Sequence, residues 1–399
     1  MNQFRSQRKL TAFVAGTLVL LCIGLFGLLA VVPAVSPMAG AQGADLLRSV
    51  LGPSPVAWLE GRSLAAQDIF NRFMAAQDGG QKAISLAQTD SIPAPGPLQR
   101  KASSAGSSAP AGLSNARSIP LLPSTNAVTA APQIGWQPLG PAVNGSPAMG
   151  QTILALDPQR PYAAIALVRM DLSVLKLHMM PGTSEPSHAP QVVSAFPDLG
   201  LTPAADQLHL IAGFNGGFKA INGHYGMMVN GVTVLPPQPG LATLAIYRDG
   251  HVAIGTWGQD MGPSPDIVAF RQNCPPIIQN GQISPEVYVD NHLIWGQTVG
   301  NREITWRTAV GLSQDGRYLI YAVGNGTTVQ TLAQALQQAG AYNAMQLDIN
   351  RPFAHFVTYQ RSGSLATGLT AVPLLNQMEN DPTLYLVPHS RDYFYLTTQ

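Results

Sequence analysis

A carboxylate closes a short apolar run of the sequence. Residues Ala344 to Asp348 are predicted to form a buried strand that ends in Asp348. Functional residues often lie where a strand ends, and a partly buried carboxylate can act as acid, base or nucleophile when its surroundings adjust its pKa. Asp348 is therefore a candidate catalytic residue, although an aspartate that merely closes a turn fits the same local pattern.

A glycine pair follows a second apolar strand, which is predicted over Leu208–Phe214. The sequence there is Phe214-Asn215-Gly216-Gly217-Phe218. Adjacent glycines allow a sharp bend and let a ligand approach main-chain N–H groups, and the Asn215 amide adds donors and an acceptor. These residues are candidate binding residues, whereas the local pattern alone favours an ordinary Asn-Gly turn.

An arginine opens a predicted hairpin strand at Thr308–Leu312. The residue is Arg307, and Glu303 lies a short distance upstream. A guanidinium group is suited to bidentate binding of phosphate or carboxylate. Arg307 is thus a candidate anion-binding residue, with a surface ion pair as the alternative.

Several functional classes find no support in the sequence. There is no Gly-x-Ser-x-Gly elbow, no Walker loop and no His-Glu-x-x-His motif. The eight histidines are scattered without i, i+4 pairs, so we predict no metal site and no cofactor. Cys22 falls in an apolar N-terminal run and leaves Cys274 without a partner, which excludes a disulfide framework. The net charge of +1 gives no basic surface for nucleic acid.

Hairpins dominate the region that must position the candidate residues. Three dipeptides that separate short apolar segments are typical of tight hairpin turns: Asn230-Gly231, Asp249-Gly250 and Asp315-Gly316. One clear helix follows, with Thr327 and Gln330 as its capping box and Gly340 after its end. The order of hairpins, helix and strand predicts an α+β domain that is β-rich, with a largely antiparallel or mixed sheet and few helices.

The N-terminus predicts a membrane anchor. Arg5, Arg8 and Lys9 precede an apolar run, and Leu10 to Val32 is long enough to cross a bilayer with the N-terminus in the cytoplasm. A cleavable signal peptide is the alternative, with Ala39-Gly40-Ala41 as its cleavage site. Either interpretation places the rest of the chain in an extracytoplasmic or extracellular location, and the first makes it a single-pass membrane protein.

Composition divides the chain into four regions. Residues 1–40 hold the basic tip and the anchor. Residues 41–87 form a short helical segment that Ser63 is predicted to cap, and we interpret it as a stalk without a specific contact, with docking on the main domain or on a partner as the alternative. Residues 88–132 are rich in Ser, Ala and Pro and too poor in large apolar residues to fold, so they are predicted to be a disordered linker. Residues 133–399 form the functional domain.

Five blocks of the sequence, in this order, resemble the phosphodiester glycosidase family. The resemblance extends from Gln151 to Val387, and it depends on the order of the blocks because each one is short. The blocks are Asp157-Pro158-Gln159-Arg160-Pro161-Tyr162, Phe214-Asn215-Gly216-Gly217-Phe218, Pro276-Ile277-Ile278-Gln279-Asn280-Gly281, Arg307-Thr308-Ala309-Val310-Gly311 with Asp315-Gly316, and Ala344-Met345-Gln346-Leu347-Asp348.

This resemblance implies an exported hydrolase that cleaves the glycosidic bond of a sugar-1-phosphate diester. Arg307 would stabilise charge on the departing phosphate. Asp348 would serve the oxocarbenium-like transition state as base, nucleophile or electrostatic partner, and Glu303, chosen for its nearness to Arg307 in sequence, would be the second carboxylate. The candidate contacts to sugar or phosphate are Asn215, Gly216, Gly217, Asn280, Gly281 and Asn350.

The last block departs from the family pattern, in which the aspartate is followed by Gly-Gly-Gly-Ser. The sequence here is Asp348-Ile349-Asn350-Arg351-Pro352. In an active enzyme, Asn350 and Arg351 would supply the contacts that main-chain N–H groups of the glycine loop give in other members of the family. The alternative is a non-catalytic envelope module that binds glycan or serves as a scaffold. Convergence of Asp348, Arg307 and Asn215 in one pocket would favour the enzyme.

Overall fold

The structure is a computed structural model that describes residues 37–77, 84–87, 134–186, 194–289, 294–296, 304–361, 368–378 and 383–399. The helices of this part are α1 (Pro37–Leu51), α2 (Pro53–Gln77), α3 (Ala204–Gln207) and α4 (Val329–Gln338), and there are short 3-10 helices at Ala220–Asn222, Pro285–Tyr288 and Arg351–Phe353. The strands are β1 (Gln137–Pro138), β2 (Ala142–Val143), β3 (Ser146–Pro147), β4 (Met149–Leu154), β5 (Ala164–Asp171), β6 (Leu175–Met180), β7 (Leu210–Asn215), β8 (Met227–Val229), β9 (Val232–Leu235), β10 (Ala242–Tyr247), β11 (Val252–Thr256), β12 (Ile267–Asn273), β13 (Ile278–Gln279), β14 (Gln282–Ile283), β15 (Thr305–Leu312), β16 (Tyr318–Thr327), β17 (Asn343–Gln346), β18 (Phe356–Arg361), β19 (Leu369–Pro373) and β20 (Tyr393–Thr398).

Three sheets and a small ribbon account for these strands. The largest sheet has the order β1-β4-β5-β16-β15-β17-β13-β14, and two five-stranded sheets have the orders β11-β10-β12-β8-β9 and β19-β18-β7-β20-β6. Strands β2 and β3 form the ribbon. Neighbouring strands in the described sheets are antiparallel. The prediction of a β-rich, largely antiparallel fold with few helices is therefore confirmed.

Strand β5 lies in the largest sheet and is buried on both of its faces. Ala166 and Val168 point into a core that the three large sheets share. Ile165 and Leu167 point the other way and pack in a second core with Leu332 of helix α4. Because side chains alternate between the two faces of a strand, covering both faces requires the near-continuous apolar run seen in this strand.

Two predicted helix starts are wrong. Thr328, rather than Thr327, caps α4, because its hydroxyl accepts a hydrogen bond from the Thr331 N–H at 3.1 Å. Thr327 is still the last residue of strand β16. Ser63 lies inside α2, which runs without a break from Pro53 to Gln77. A proline fits the first turn of a helix, where its missing N–H costs nothing, so the helix starts ten residues earlier than the Ser63 cap implied.

Helix α2 is docked on the β-rich domain through one buried carboxylate. Asp68 is only 3% exposed. Its Oδ1 accepts from Arg160 Nε at 2.9 Å, its Oδ2 accepts from Arg160 Nη2 at 3.1 Å, and the Tyr162 hydroxyl also donates to Oδ1. The stalk interpretation did not anticipate this contact, because a single buried acid inside a helix gives no signal of its distant partner.

We expect Asp68→Ala to release α2 from the domain. Burial raises the pKa of the Asp68 carboxyl, but the hydrogen bonds from Arg160 and Tyr162 lower it by more, so the net pKa lies below its ordinary value. A depressed pKa means that the docking contribution is present above about pH 4 and is lost as the pH falls through the folded-state pKa. Limited proteolysis within residues 53–77 should therefore accelerate in the variant at neutral pH, and in the wild type only in acid.

Asp171→Ala is the matched control for this experiment. Asp171 pairs with Arg317, whose side chain is 51% exposed, and it makes no contact with α2. An exposed ion pair contributes little, so this variant should keep α2 protected at neutral pH. Equal protection of α2 in wild type and Asp68→Ala would show that the Asp68 contacts do not hold the helix.

No helix among the described residues is long and apolar enough to cross a membrane. The predicted span Leu10–Val32 and the predicted linker 88–132 both lie outside the residues that the structure describes. Both remain predictions.

Candidate active site

Strand ends from two sheets meet around Asp348. Asp348 lies two residues beyond β17, Asn215 is the last residue of β7, and Arg391 lies two residues before β20. Strands β7 and β20 are neighbours, with Asn215 opposite Tyr393. The Asp348 N–H donates to the Gly216 carbonyl at 3.1 Å, which joins the end of the largest sheet to the end of β7.

The Asp348 carboxylate is buried, with 1% of the residue exposed, and both of its oxygens accept hydrogen bonds. Oδ2 accepts from Arg391 Nη2 at 2.6 Å. Oδ1 accepts from the Asn350 N–H at 2.9 Å and from Asn350 Nδ2 at 2.8 Å. A carboxylate can accept about four hydrogen bonds, so these three donors leave room for one more. These hydrogen bonds therefore fix the orientation of the group, and it retains capacity for a ligand.

Asn350 supplies donors at the position where the family pattern has glycines. Its main-chain and side-chain N–H groups both bind one oxygen of Asp348, so the loop closes on itself as an Asx turn. Arg351 is exposed at the start of the following 3-10 helix. Of the two residues expected to replace the glycine loop, the structure brings only Asn350 to the carboxylate.

The Asn215 side chain is fully engaged by the protein. Its Nδ2 donates to Thr308 Oγ1 at 2.9 Å and to the Gly216 carbonyl at 3.0 Å. Its Oδ1 accepts from the Tyr321 hydroxyl at 2.8 Å and from the His355 N–H at 3.3 Å. Asn215 therefore positions the Thr308 hydroxyl, which in turn donates to the main-chain carbonyl of the candidate aspartate at 2.6 Å.

A second buried ion pair explains why two glycines follow Asn215. A Cβ atom on Gly216 would lie 2.0 Å from Asp392 Oδ2, and one on Gly217 would lie 2.8 Å from Arg271 Cζ. Arg271 Nε donates to Asp392 Oδ2 at 2.8 Å, and the Gly217 N–H donates to the same oxygen at 3.0 Å. The glycines thus provide space and a main-chain donor for this pair.

We expect Gly216→Ala to destabilise the fold. The added methyl group collides with a buried carboxylate that Arg271 holds in place, so the cost should be about 1–3 kcal/mol of unfolding free energy. The midpoint of denaturant unfolding measures this loss. Gly262→Ala is the control, because nothing lies within 4 Å of a Cβ at Gly262. Equal midpoints for the two variants would contradict the steric explanation.

Arg307 is directed to the opposite side of β15 from Thr308. It is fully buried, and its Nη1 donates to Gln346 Oε1 at 2.7 Å and to the Trp295 carbonyl at 3.1 Å. Neighbouring residues of a strand point to opposite faces, so Thr308 reaches Asp348 and Arg307 does not. The guanidinium group predicted to bind phosphate therefore does not meet the candidate carboxylate. Glu303, the predicted second carboxylate, lies outside the described residues.

Asn280 and Gly281 form a hairpin turn away from Asp348. Their φ angles of 51° and 77° are those of the tight turn between β13 and β14. The Asn280 N–H donates to Asn343 Oδ1 at 2.9 Å, and the Gly281 N–H donates to the Tyr342 carbonyl at 2.7 Å. Asn343 is the first residue of β17, whereas Asp348 follows its last residue, so the structure places the turn and the carboxylate at opposite ends of that strand.

Arg391 is the site residue that sequence reasoning missed. Its Nη2 donates to Asp348 Oδ2 and to the Gly217 carbonyl at 2.9 Å, and its guanidinium lies 4.5 Å from the centre of the Phe353 ring. The residue is 4% exposed. Its Nε and Nη1 have no hydrogen-bond partner among the described residues. Since buried N–H donors are nearly always paired, these nitrogens indicate a place for an acceptor that the described residues do not supply.

Sequence reasoning also missed His355, which lies just after the 3-10 helix Arg351–Phe353. It is 3% exposed, and its Nε2–H donates to the Pro352 carbonyl at 2.9 Å. Burial lowers the pKa of His355 to about 4, so the ring is neutral at pH 7. Its Nδ1 has no partner among the described residues. For Arg391, the sequence does contain a signal: the charged dipeptide Arg391-Asp392 lies directly before an apolar strand.

Part of the chain matches a known protein family. Residues 209–348 match the family model described as phosphodiester glycosidase. The resemblance to that family is confirmed. The matched segment contains Asn215 and Asp348, and it points to a glycosidase-type hydrolase. Arg391 lies beyond the end of the matched segment, just before strand β20.

Solved structures provide more distant comparisons for this domain. The auto-inhibited catalytic domain of zebrafish N-acetylglucosamine-1-phosphodiester alpha-N-acetylglucosaminidase is 17% identical with a TM-score of 0.40, covering 66% of this chain and 88% of that chain. A hypothetical protein from Synechocystis is 12% identical with a TM-score of 0.31, covering 68% of this chain and 64% of that chain. No curated protein matches the sequence.

Proposed function

We propose that this protein hydrolyses the glycosidic bond of a sugar-1-phosphate diester on an envelope or extracellular glycan. The observation that carries the proposal is the buried pair of Asp348 and Arg391. A carboxylate and a guanidinium lie side by side, and the guanidinium keeps two nitrogens without a partner among the described residues. The family match over residues 209–348 supports the reaction class.

The pair provides the two charges that this reaction needs. Cleavage breaks the bond between the anomeric carbon and the phosphate oxygen, and the phosphate monoester leaves with the bonding electrons. Water supplies the hydroxyl group that the anomeric carbon gains. Positive charge develops on the sugar, next to which the Asp348 carboxylate would act as base, nucleophile or electrostatic partner. Negative charge develops on the leaving phosphate, where buried N–H donors are most effective.

Arg391 takes the phosphate-binding role that the sequence assigned to Arg307. The Nη1 of Arg307 is engaged by Gln346 and by the Trp295 carbonyl. Arg391 has uncommitted Nε and Nη1 atoms and stands directly beside the carboxylate. The arginine that binds the substrate phosphate must stand next to the carboxylate, so Arg391 is the better candidate.

One observation favours a non-catalytic glycan-binding or scaffolding module instead. Asp348 is 1% exposed, and the loop that follows it lacks the glycines of the family pattern. A substrate can reach this carboxylate only if the surrounding loops allow it to enter. The location we propose, extracytoplasmic and tethered by the predicted span Leu10–Val32, is the same for both functions.

A substrate screen tests the proposal. Purified full-length protein in detergent is incubated with a panel of sugar-1-phosphate diesters, and release of free sugar and phosphate monoester is measured. We expect turnover of at least one member that Asp348→Ala abolishes. Saturable binding of glycans without any turnover across the panel would support the non-catalytic module and overturn the hydrolase.

A further inference from the structure

Large apolar side chains are exposed mainly on the two N-terminal helices. Eight of the thirteen exposed large apolar residues in the described part of the chain belong to α1 and α2. Single exposed apolar residues are normal on a protein surface, but a concentration of them indicates an interaction surface. The eight are Leu46, Val50, Leu51, Trp58, Ile69, Phe70, Phe73 and Met74.

On α2 these residues lie outside the side that is docked on the domain. Asp68 and Ala75 are buried and lie two helical turns apart, so they share the side that contacts the domain. At about 100° per residue, Phe70 and Phe73 point away from that side, whereas Ile69 and Trp58, three turns apart, lie on the adjoining flank of the helix. The helix therefore has a polar docking contact on one side and an apolar surface on the other.

Two ionic contacts fix this apolar surface relative to the domain. Asp68 of α2 binds Arg160, and Asp45 of α1 binds Lys219 Nζ. The residues Ala44 and Val56 are buried between the two helices and join them. Because both helices are held to the domain, the apolar face is a constant outer surface of the folded protein.

The position of this surface in the chain points to a lipid bilayer as its partner. The predicted span ends at Val32, and α1 begins five residues later at Pro37. Five residues reach at most about 18 Å, so α1 must start close to the point where the span leaves the membrane. The Arg62 guanidinium lies 5.5 Å from the centre of the Trp58 ring. Trp and Arg side chains are suited to the boundary between lipid and water.

We propose that α1 and α2 lie on the membrane surface, with the apolar face of Trp58, Ile69, Phe70 and Phe73 inserted among the lipids. The β-rich domain is bound to the other side of α2. This arrangement goes beyond an anchor: it sets the orientation of the domain relative to the bilayer. It rests on the predicted span Leu10–Val32, and it does not depend on the reaction that the domain performs.

Tryptophan fluorescence in proteoliposomes tests the proposal. Full-length protein is reconstituted into phosphatidylcholine vesicles that contain lipids brominated near the headgroup, and the quenching of tryptophan emission is measured. Trp58 is 51% exposed, whereas Trp257, Trp295 and Trp306 are buried. We expect Trp58→Phe to remove most of the quenching. Trp136→Phe, on the β-rich domain, is the control and should leave the quenching unchanged.

A second variant tests the apolar face itself. Phe70→Ser together with Phe73→Ser should reduce the quenching of Trp58 while leaving the thermal unfolding of the domain unchanged, because both side chains are exposed. Absence of Trp58 quenching in wild-type proteoliposomes would overturn the proposal. A dimer in detergent that the double substitution converts to a monomer would also overturn it, since a second copy would then cover the face.

Discussion

Replacing Asp348 with Asn is expected to lower kcat/KM for a sugar-1-phosphate diester by at least about 100-fold, the low end of the effect of removing an acid–base group. Asparagine keeps the shape of the side chain and can still accept from Asn350 through its remaining oxygen. It removes the negative charge that would face the developing charge on the sugar. The measurement is initial rate against substrate concentration, so that losses in kcat and in KM are separated.

Stability has to be measured alongside activity, because this substitution also leaves Arg391 without its anionic partner. Breaking a buried pair by removing one member costs about 3–5 kcal/mol, which could unfold a marginal protein. Combining Asp348→Asn with Arg391→Met removes both charges, and we expect the double variant to regain unfolding free energy but not activity. Near-normal turnover in folded Asp348→Asn would remove Asp348 from the mechanism.

The hairpins of this protein could be predicted because their signals are local. Asn230-Gly231 has the positive φ angles of a tight turn, and it connects strands β8 and β9 as predicted. Turn chemistry depends on two residues, and the period of a strand depends on its own side chains. The same reasoning predicted a buried strand that ends in Asp348; the strand is present, but it ends two residues earlier, at Gln346.

The partner of Asp348 could not be predicted, because it depends on which strands become neighbours. Strand β20 lies beside β7 in the sheet although about two thirds of the domain separates them in sequence, and this pairing brings Arg391 to the glycine pair. Whether Arg307 or Thr308 contacts Asp348 depends on which face of β15 is turned toward the residues that follow β17. A sequence shows the alternation of a strand but not the identity of its two faces.

Arg391→Lys is expected to lower kcat/KM for phosphodiester substrates by about 100- to 1,000-fold, the range seen when one donor to a developing anion is removed. Lysine can preserve the ion pair with Asp348, so the fold and the carboxylate should be retained. It has a single compact ammonium group, and therefore it cannot hold the carboxylate and also present the nitrogens that Nε and Nη1 provide. Arg317→Lys, an exposed ion-pair arginine elsewhere in the largest sheet, is the control and should leave activity unchanged.

The leaving group distinguishes the role of Arg391 from that of Asp348. If Arg391 stabilises the departing phosphate, Arg391→Lys should spare an aryl glycoside of the same sugar, whose leaving group carries no phosphate. Asp348→Asn should impair both substrates, because each one develops positive charge on the sugar ring. Equal losses on both substrates in Arg391→Lys would mean that Arg391 only holds the carboxylate in place, and the phosphate-binding role would then be excluded.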